Sequence, residues 1–197
     1  MVDQSKQDFT IHKDLLVFYS DYFRAAFNGS FVEATDKKVD LFDVDQRVFE
    51  HFHAWLYTRK LVHEDDEPLS WGNLFDLWIF GDRFQIPMLQ NCVIDEIFAK
   101  VERDKGAPKF MAGIAYKSTV KGSPLRRASI ELLAYSSLLG DEDDSMMADD
   151  CLHHFTLDIL ADTIKEPDAA RQNKLPYDKK PGRDKCFFHI HGKDEHC

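Results

Sequence analysis

VDLFDVDQRVFEHFHAWLYT, residues 39–58, decides the fold because its periodicity changes partway along. Val39 and Leu41 alternate with polar neighbours, the two-residue repeat of a half-buried strand. From Val48 onward the apolar residues Phe49, Phe52, Trp55 and Leu56 recur at helical spacing, as in a helix buried along one face. Asp45 stands at the change, where its carboxylate can accept from the free N–H groups of a first helical turn. A strand running into a capped helix is the expectation.

Working toward the N-terminus, DFTIH (8–12) puts Phe9 and Ile11 on one face and predicts another short strand. KDLLVFYS then reads as helical, and Ser20 is placed to cap a second helix bearing Tyr22, Phe23, Ala26 and Phe27. Asn28-Gly29 closes that helix, with the glycine expected in the left-handed conformation. Working toward the C-terminus, residues 58–66 predict a turn, a short strand around Leu61-Val62 and an acidic loop. Ser70 opens a helix carrying Leu74, Leu77, Trp78 and Phe84 that stops near Ile86-Pro87. Leu89, Val93, Ile94, Ile97 and Phe98 mark the next helix.

A polar break over residues 102–108 separates this front part from a purely helical stretch. FMAGIAY is one short helix there, and Ser123-Pro124 supplies a cap and a first-position proline for another with Leu125, Ala128, Leu132 and Leu133. The acids of residues 141–150 precede a predicted helix with Leu152, Phe155, Ile159 and Leu160, where its dipole favours them. Beyond Lys165 the apolar repeat is lost and prolines enter, so 166–185 reads as an extended, mostly disordered linker. The expected division is 1–101, a helical extension over 107–165, and a flexible tail over 166–197.

The 197 residues carry a formal charge of −10, from 35 acidic against 25 basic side chains. That balance argues against direct contact with nucleic acid, which needs clustered Lys and Arg. No basic-then-apolar leader and no membrane-length apolar run is apparent, so neither export nor insertion is expected. Cys92, Cys151, Cys186 and Cys197 do not form the framework of a secreted disulfide protein. They read as free thiols of a cytoplasmic or nuclear protein.

Three stretches together resemble the BTB/POZ family, particularly its fungal form. They are FTIHKDLLVFYSDYFRAAFNGSFVEA (9–34), VDLFDVDQRVFEHFHAWLYT (39–58) and LFDLWIFGDRFQIPMLQNCVIDEI (74–97). The second ends in an aromatic-Leu-Tyr-Thr signature, and the third has Gly-Asp-Arg-Phe before an Ile-Pro-x-Leu turn. The resemblance implies an α+β domain, a small sheet with a cluster of helices, here followed by the all-helical extension and the tail. It also implies a non-enzymatic protein-interaction module. Such domains usually begin with a further strand of the form Asp-apolar-x-apolar, but only MVDQSKQ precedes DFTIH. The first strand is therefore expected to be missing or degraded, leaving a sheet edge open.

Two kinds of protein partner follow from the resemblance: this chain itself or a regulatory protein, and alternatively a cullin scaffold, with the chain as substrate adaptor of a ubiquitin ligase. Cullin-binding members carry a hydrophobic-x-Glu motif at the start of the helix that ends in Tyr-Thr. The matching positions are Phe49, Glu50 and His51; Phe49 fits, but His51 replaces the glutamate and Glu50 lies one residue early. Phe49, Glu50, His51 and Phe52 are the partner-binding candidates. No cofactor is expected for the body of the chain, whereas the tail's Cys186, His189, His191 and Cys197 offer four donors suited to a structural zinc. The preferred reading of the same cluster is a solvated, unstructured terminus in which Cys and His happen to fall close together.

An enzyme is the rival class. No Gly-rich phosphate loop, Gly-x-Ser-x-Gly elbow or His-Glu-x-x-His helix occurs in the sequence. His153 and His154 are adjacent on a predicted helix and diverge by about 100°, so they cannot share a metal.

Overall fold

Asp45 does cap a helix: its Oδ1 accepts from the Arg47 N–H at 2.8 Å. A computed structural model of the chain describes residues 7–63, 67–104, 110–134 and 185–192. Among the described residues the helices are, in order, α1 (Lys13–Tyr19), α2 (Asp21–Asn28), α3 (Val32–Asp36), α4 (Gln46–Thr58), α5 (Trp71–Arg83), α6 (Pro87–Asp104), α7 (Phe110–Ser118) and α8 (Pro124–Ala134). A 3-10 turn, Lys185–Phe188, follows.

Polar caps set the starts of four of them. Ser20 Oγ accepts from Phe23 N–H at 3.0 Å, Ser70 Oγ from Asn73 N–H at 3.2 Å, and Ser123 Oγ from Leu125 N–H at 3.2 Å. Each satisfies a donor that the first helical turn leaves without an intrahelical partner.

The expected sheet does not form. Among the described residues there is no strand, and the single bridge outside any strand is the antiparallel pair Val62–Pro68. Residues 8–12 form no strand; Phe9 and His12 meet side chains of α4, and Asp8 lies 3.5 Å from Lys38 Nζ. The Phe9 ring lies 4.8 Å from that of Phe49, and His12 donates its N–H to the Tyr57 hydroxyl at 3.1 Å. Alternation of Phe9 and Ile11 reports which face is covered, not what covers it. Residues 39–44 likewise pass through turns, with Val39, Leu41 and Val44 partly buried against the core and Phe42 exposed. With no sheet among the described residues, they present no open sheet edge either. Their architecture is helical, not α+β.

Helices α4, α5 and α6 supply the centre. Phe52, Trp55, Leu74, Phe75, Trp78, Ile86, Leu89 and Ile94 are all buried in one cluster, each large side chain contributing about 1.5–3 kcal/mol by leaving water. The α5–α6 corner is tight because Gln85 adopts a left-handed φ of 52° and Ile86 N–H reaches back to Gly81 C=O at 2.8 Å. A Cβ on Gly81 would meet Gln90 Cγ at 2.8 Å, so the glycine lets α5 and α6 approach. Ser20 ties α2 to this corner, donating to Phe84 C=O at 2.6 Å.

Gly29 does end α2, but with φ −83° rather than a left-handed turn. What excludes a side chain there is contact: an added Cβ would lie 2.5 Å from Ala25 O. The stretch beyond it contains the short helix α3, which ends at Lys37 with φ 52°.

Helix α6 continues through Asp104, where Trp71 Nε1 donates to Asp104 Oδ2 at 3.1 Å. Met111, Ala112, Ala115 and Tyr116 of α7 and Leu125, Ala128 and Leu132 of α8 join the same core as α4–α6. The acidic run, the helix predicted over 152–160 and the linker lie outside the described residues. Of the tail expected to be flexible, the described residues 185–192 lie on the body: Phe188 is buried against Phe98, their ring centroids 5.0 Å apart. No helix among the described residues is long and apolar enough to cross a membrane.

Candidate interaction surface

The four residues expected at a partner interface occupy different environments. Phe52 is completely buried, and its ring packs 4.8 Å from Phe80. Its role is to hold α4 in the core, so it is not available to a partner; the consecutive positions 49–52 cannot all face one way on a helix. Phe49 is half-buried beneath Phe9, with Phe52 and Phe80 on its other sides at 5.6 and 6.1 Å. Glu50 accepts from Gln46 Nε2 at 2.8 Å within α4.

His51 turns toward α5 and the loop after α4. Its Nε2 is 3.2 Å from Asn73 Nδ2, and its ring centroid is 5.0 Å from that of His63. Burial, followed by the neighbouring His63, pushes the His51 pKa down. A neutral imidazole can accept from the Asn73 amide, whereas an imidazolium cannot. The geometry therefore favours an uncharged His51 where a cullin-type motif has a carboxylate.

A set of exposed apolar side chains on α1–α3 escaped the sequence reading. Phe18 on α1, Phe31 just before α3 and Val32 at its start are 68%, 59% and 65% exposed. Tyr22 of α2 and Met88 of α6 are also exposed, and the Tyr22 ring stands edge-on to Phe84 at 5.1 Å. Large apolar side chains held in water on neighbouring elements are characteristic of a contact surface. The signal is present in the sequence: Leu15, Leu16 and Tyr19 form the inward stripe of α1, and Phe18 lies off it.

Two arginines are held on elements that contact α1–α3 or their connections. Arg83 grips both oxygens of Asp43 at 2.8 and 2.7 Å, and this hydrogen bonding holds the Asp43 carboxyl below its usual range. Arg59, at a left-handed φ of 62°, lays its guanidinium over the Tyr19 ring at 3.8 Å and near Trp55 at 4.6 Å. Cys92 is a free, half-buried thiol whose pKa is raised by burial, which makes it a poor nucleophile.

Of the four tail donors, Cys186, His189 and His191 fall on the docked segment, and Cys197 lies outside the described residues. The His189 and His191 ring centroids are 6.0 Å apart, and His189 Nε2 is 3.4 Å from Asp95 Oδ1. Cys186 is disulfide-bonded, contrary to the expectation of free thiols throughout. A disulfide sulfur is not the thiolate that zinc takes as ligand. No group of three or more potential metal ligands is assembled among the described residues.

Residues 1–98 match a family model described as BTB/POZ domain. The chain is 28% identical to the Kelch repeat and BTB domain-containing protein 8 of Xenopus tropicalis over 101 residues, 51% of this chain and 16% of that protein. It is 30% identical to Kelch-like protein 40 of Xenopus tropicalis over 83 residues, 42% of this chain and 12% of that protein. The match thus spans less than a fifth of the length of either relative.

Proposed function

Because residues 1–98 of this chain are a BTB/POZ domain, a protein-interaction module and not typically an enzyme, we propose that it acts by self-association or by binding a regulatory protein through α1–α3. The observation that carries this reading is the exposure of Phe18, Phe31 and Val32, three large apolar groups on neighbouring short elements. Covering them removes apolar surface from water, at about 25 cal/mol per Å². The acidic balance, −10 overall, favours a protein partner over a polyanion. Assignment to the fungal form of the domain belongs to the same proposal and rests on the sequence motifs; residence in the cytoplasm or nucleus is proposed from the cysteine pattern, against which the Cys186 disulfide counts.

The alternative is an adaptor that docks a cullin scaffold. It draws on the family resemblance and on Phe49, but Phe49 is covered by Phe9 and His51 faces Asn73 and His63. Light scattering of the purified chain, paired with a pull-down on a cullin N-terminal region, separates the readings. Self-association with no cullin captured at micromolar concentration supports the first. Capture of the cullin, lost in Phe49→Ala, supports the second. A structural zinc at Cys186, His189, His191 and Cys197 is retained only for the reduced tail, and zinc titration under reductant tests it through proton release.

A further inference from the structure

Residues 187–190 lie against the helical body far in sequence from the helices they touch, and they are held as a bound peptide is held. Asn91, on α6, donates from Nδ2 to Ile190 C=O at 2.9 Å and accepts at Oδ1 from Ile190 N–H at 2.7 Å. One side-chain amide thus satisfies both polar groups of one residue's backbone, as a neighbouring strand would. Arg127, on α8, donates to Phe187 C=O at 2.9 Å, and its guanidinium sits 5.1 Å from the Phe187 ring centroid. The same Arg127 is braced by Gly122 C=O at 3.2 Å. Phe188 is 4% exposed and enters beside Phe98, Ile190 is half-buried against the core, and His189 reaches Asp95.

We propose that the groove between α6 and α8, walled by Asn91, Asp95, Phe98 and Arg127, is a recognition site for short protein segments. Its ligand carries an aromatic anchor, an imidazole or basic residue next, and an aliphatic residue whose backbone Asn91 grips. Phe188-His189-Ile190 is its built-in occupant. Three of the hydrogen bonds, two at Asn91 and one from Arg127, read only main chain, so they accept any segment that brings the side-chain pattern with it. Burial lowers the Arg127 pKa, a cost that the Phe187 carbonyl helps to offset. Without an occupant, Phe98 would lose the ring now packed on it and Asn91 both of its backbone partners. This site is separate from the α1–α3 surface and stands or falls independently of it.

The occupant is covalently attached, which gives it an effective concentration on the order of 1 mM. A free peptide with an intrinsic Kd on the order of 0.1 mM therefore meets roughly tenfold competition in the intact chain. The probe is a fluorescent peptide of residues 187–195, FFHIHGKDE, which omits Cys186. Titrated into the full-length Phe188→Ala chain, it should bind with a Kd of tens to hundreds of micromolar. The wild-type chain should bind it about tenfold more weakly, and the Phe188→Ala, Asn91→Ala chain more than about tenfold more weakly than Phe188→Ala alone.

Amide exchange in the unsubstituted chain supplies a second measurement that needs no variant to fold. The Ile190 N–H should exchange at least about tenfold more slowly than in the free peptide, and excess unlabelled peptide should speed it. Exchange of Ile190 at the free-peptide rate, or no change on adding millimolar peptide, overturns the proposal. So does binding that is equal with and without Asn91.

Discussion

Ser20 joins the start of α2 to the end of α5, and replacing it with alanine should cost far more than loss of an ordinary helix cap. Its side chain is fully buried, accepts from Phe23 N–H at 3.0 Å and donates to Phe84 C=O at 2.6 Å. Removing the cap costs about 1 kcal/mol. Stranding the Phe84 carbonyl in the interior adds about 1–3 kcal/mol. Ser20→Ala should therefore destabilise the chain by about 2–4 kcal/mol. Ser70 is the internal control, because it caps α5 through one bond of 3.2 Å and is exposed; Ser70→Ala should cost about 0.5–1 kcal/mol. Urea unfolding of the two variants beside wild type, compared at constant m, reads the difference as a shift in midpoint. Equal shifts for the two would refute the reasoning, since the second, buried bond would then contribute nothing.

Phe52→Ala should cost about 3–5 kcal/mol and Glu50→Ala at most about 0.5 kcal/mol, as read by thermal or urea melts; the reverse order would return Phe52 to the surface. His51 has a folded-state pKa below its unfolded value, so the unfolded chain binds more protons and stability falls as pH drops below about 6.5. His51→Gln should reduce the loss of urea midpoint between about pH 7.5 and pH 5.5; an unchanged slope would contradict that assignment. Gly29→Ala should lower stability by about 1–3 kcal/mol, because the new Cβ meets backbone oxygen Ala25 O at 2.5 Å. An unaltered melting temperature would show that α2 ends in some other way.

Much of the helical order is legible in the residues. Ser20, Asp45, Ser70 and Ser123 announce helix starts because a short polar side chain satisfies N–H groups that the helix itself cannot. The inward stripes of α4, α5 and α6 follow directly from their apolar spacing. The expected strands fail because Phe9 and Ile11 alternate for a different reason: they belong to a segment without regular structure that is partly buried, with Phe9 lying on α4. Period two identifies a covered face, and only a partner strand makes it a ladder. Phe52 does not belong at the candidate interface because a motif fixes spacing, while burial depends on which neighbouring helix arrives, here α5 with Phe80. The docked tail is hidden by its proline-rich approach, although the run Cys186–Ile190 has the apolar content of a buried segment. Its grip by Asn91 spans 99 positions of sequence and leaves no local periodic trace.

The α1–α3 surface is tested most directly by affinity capture, with tagged wild-type chain and a Phe18→Asp, Phe31→Asp double variant in parallel against an extract that also contains untagged chain. Both side chains are exposed, so the variant should melt within a few degrees of wild type. The wild-type chain should retain untagged copies or a defined protein partner, and the variant should lose them. Equal retention by two equally folded chains would contradict the account.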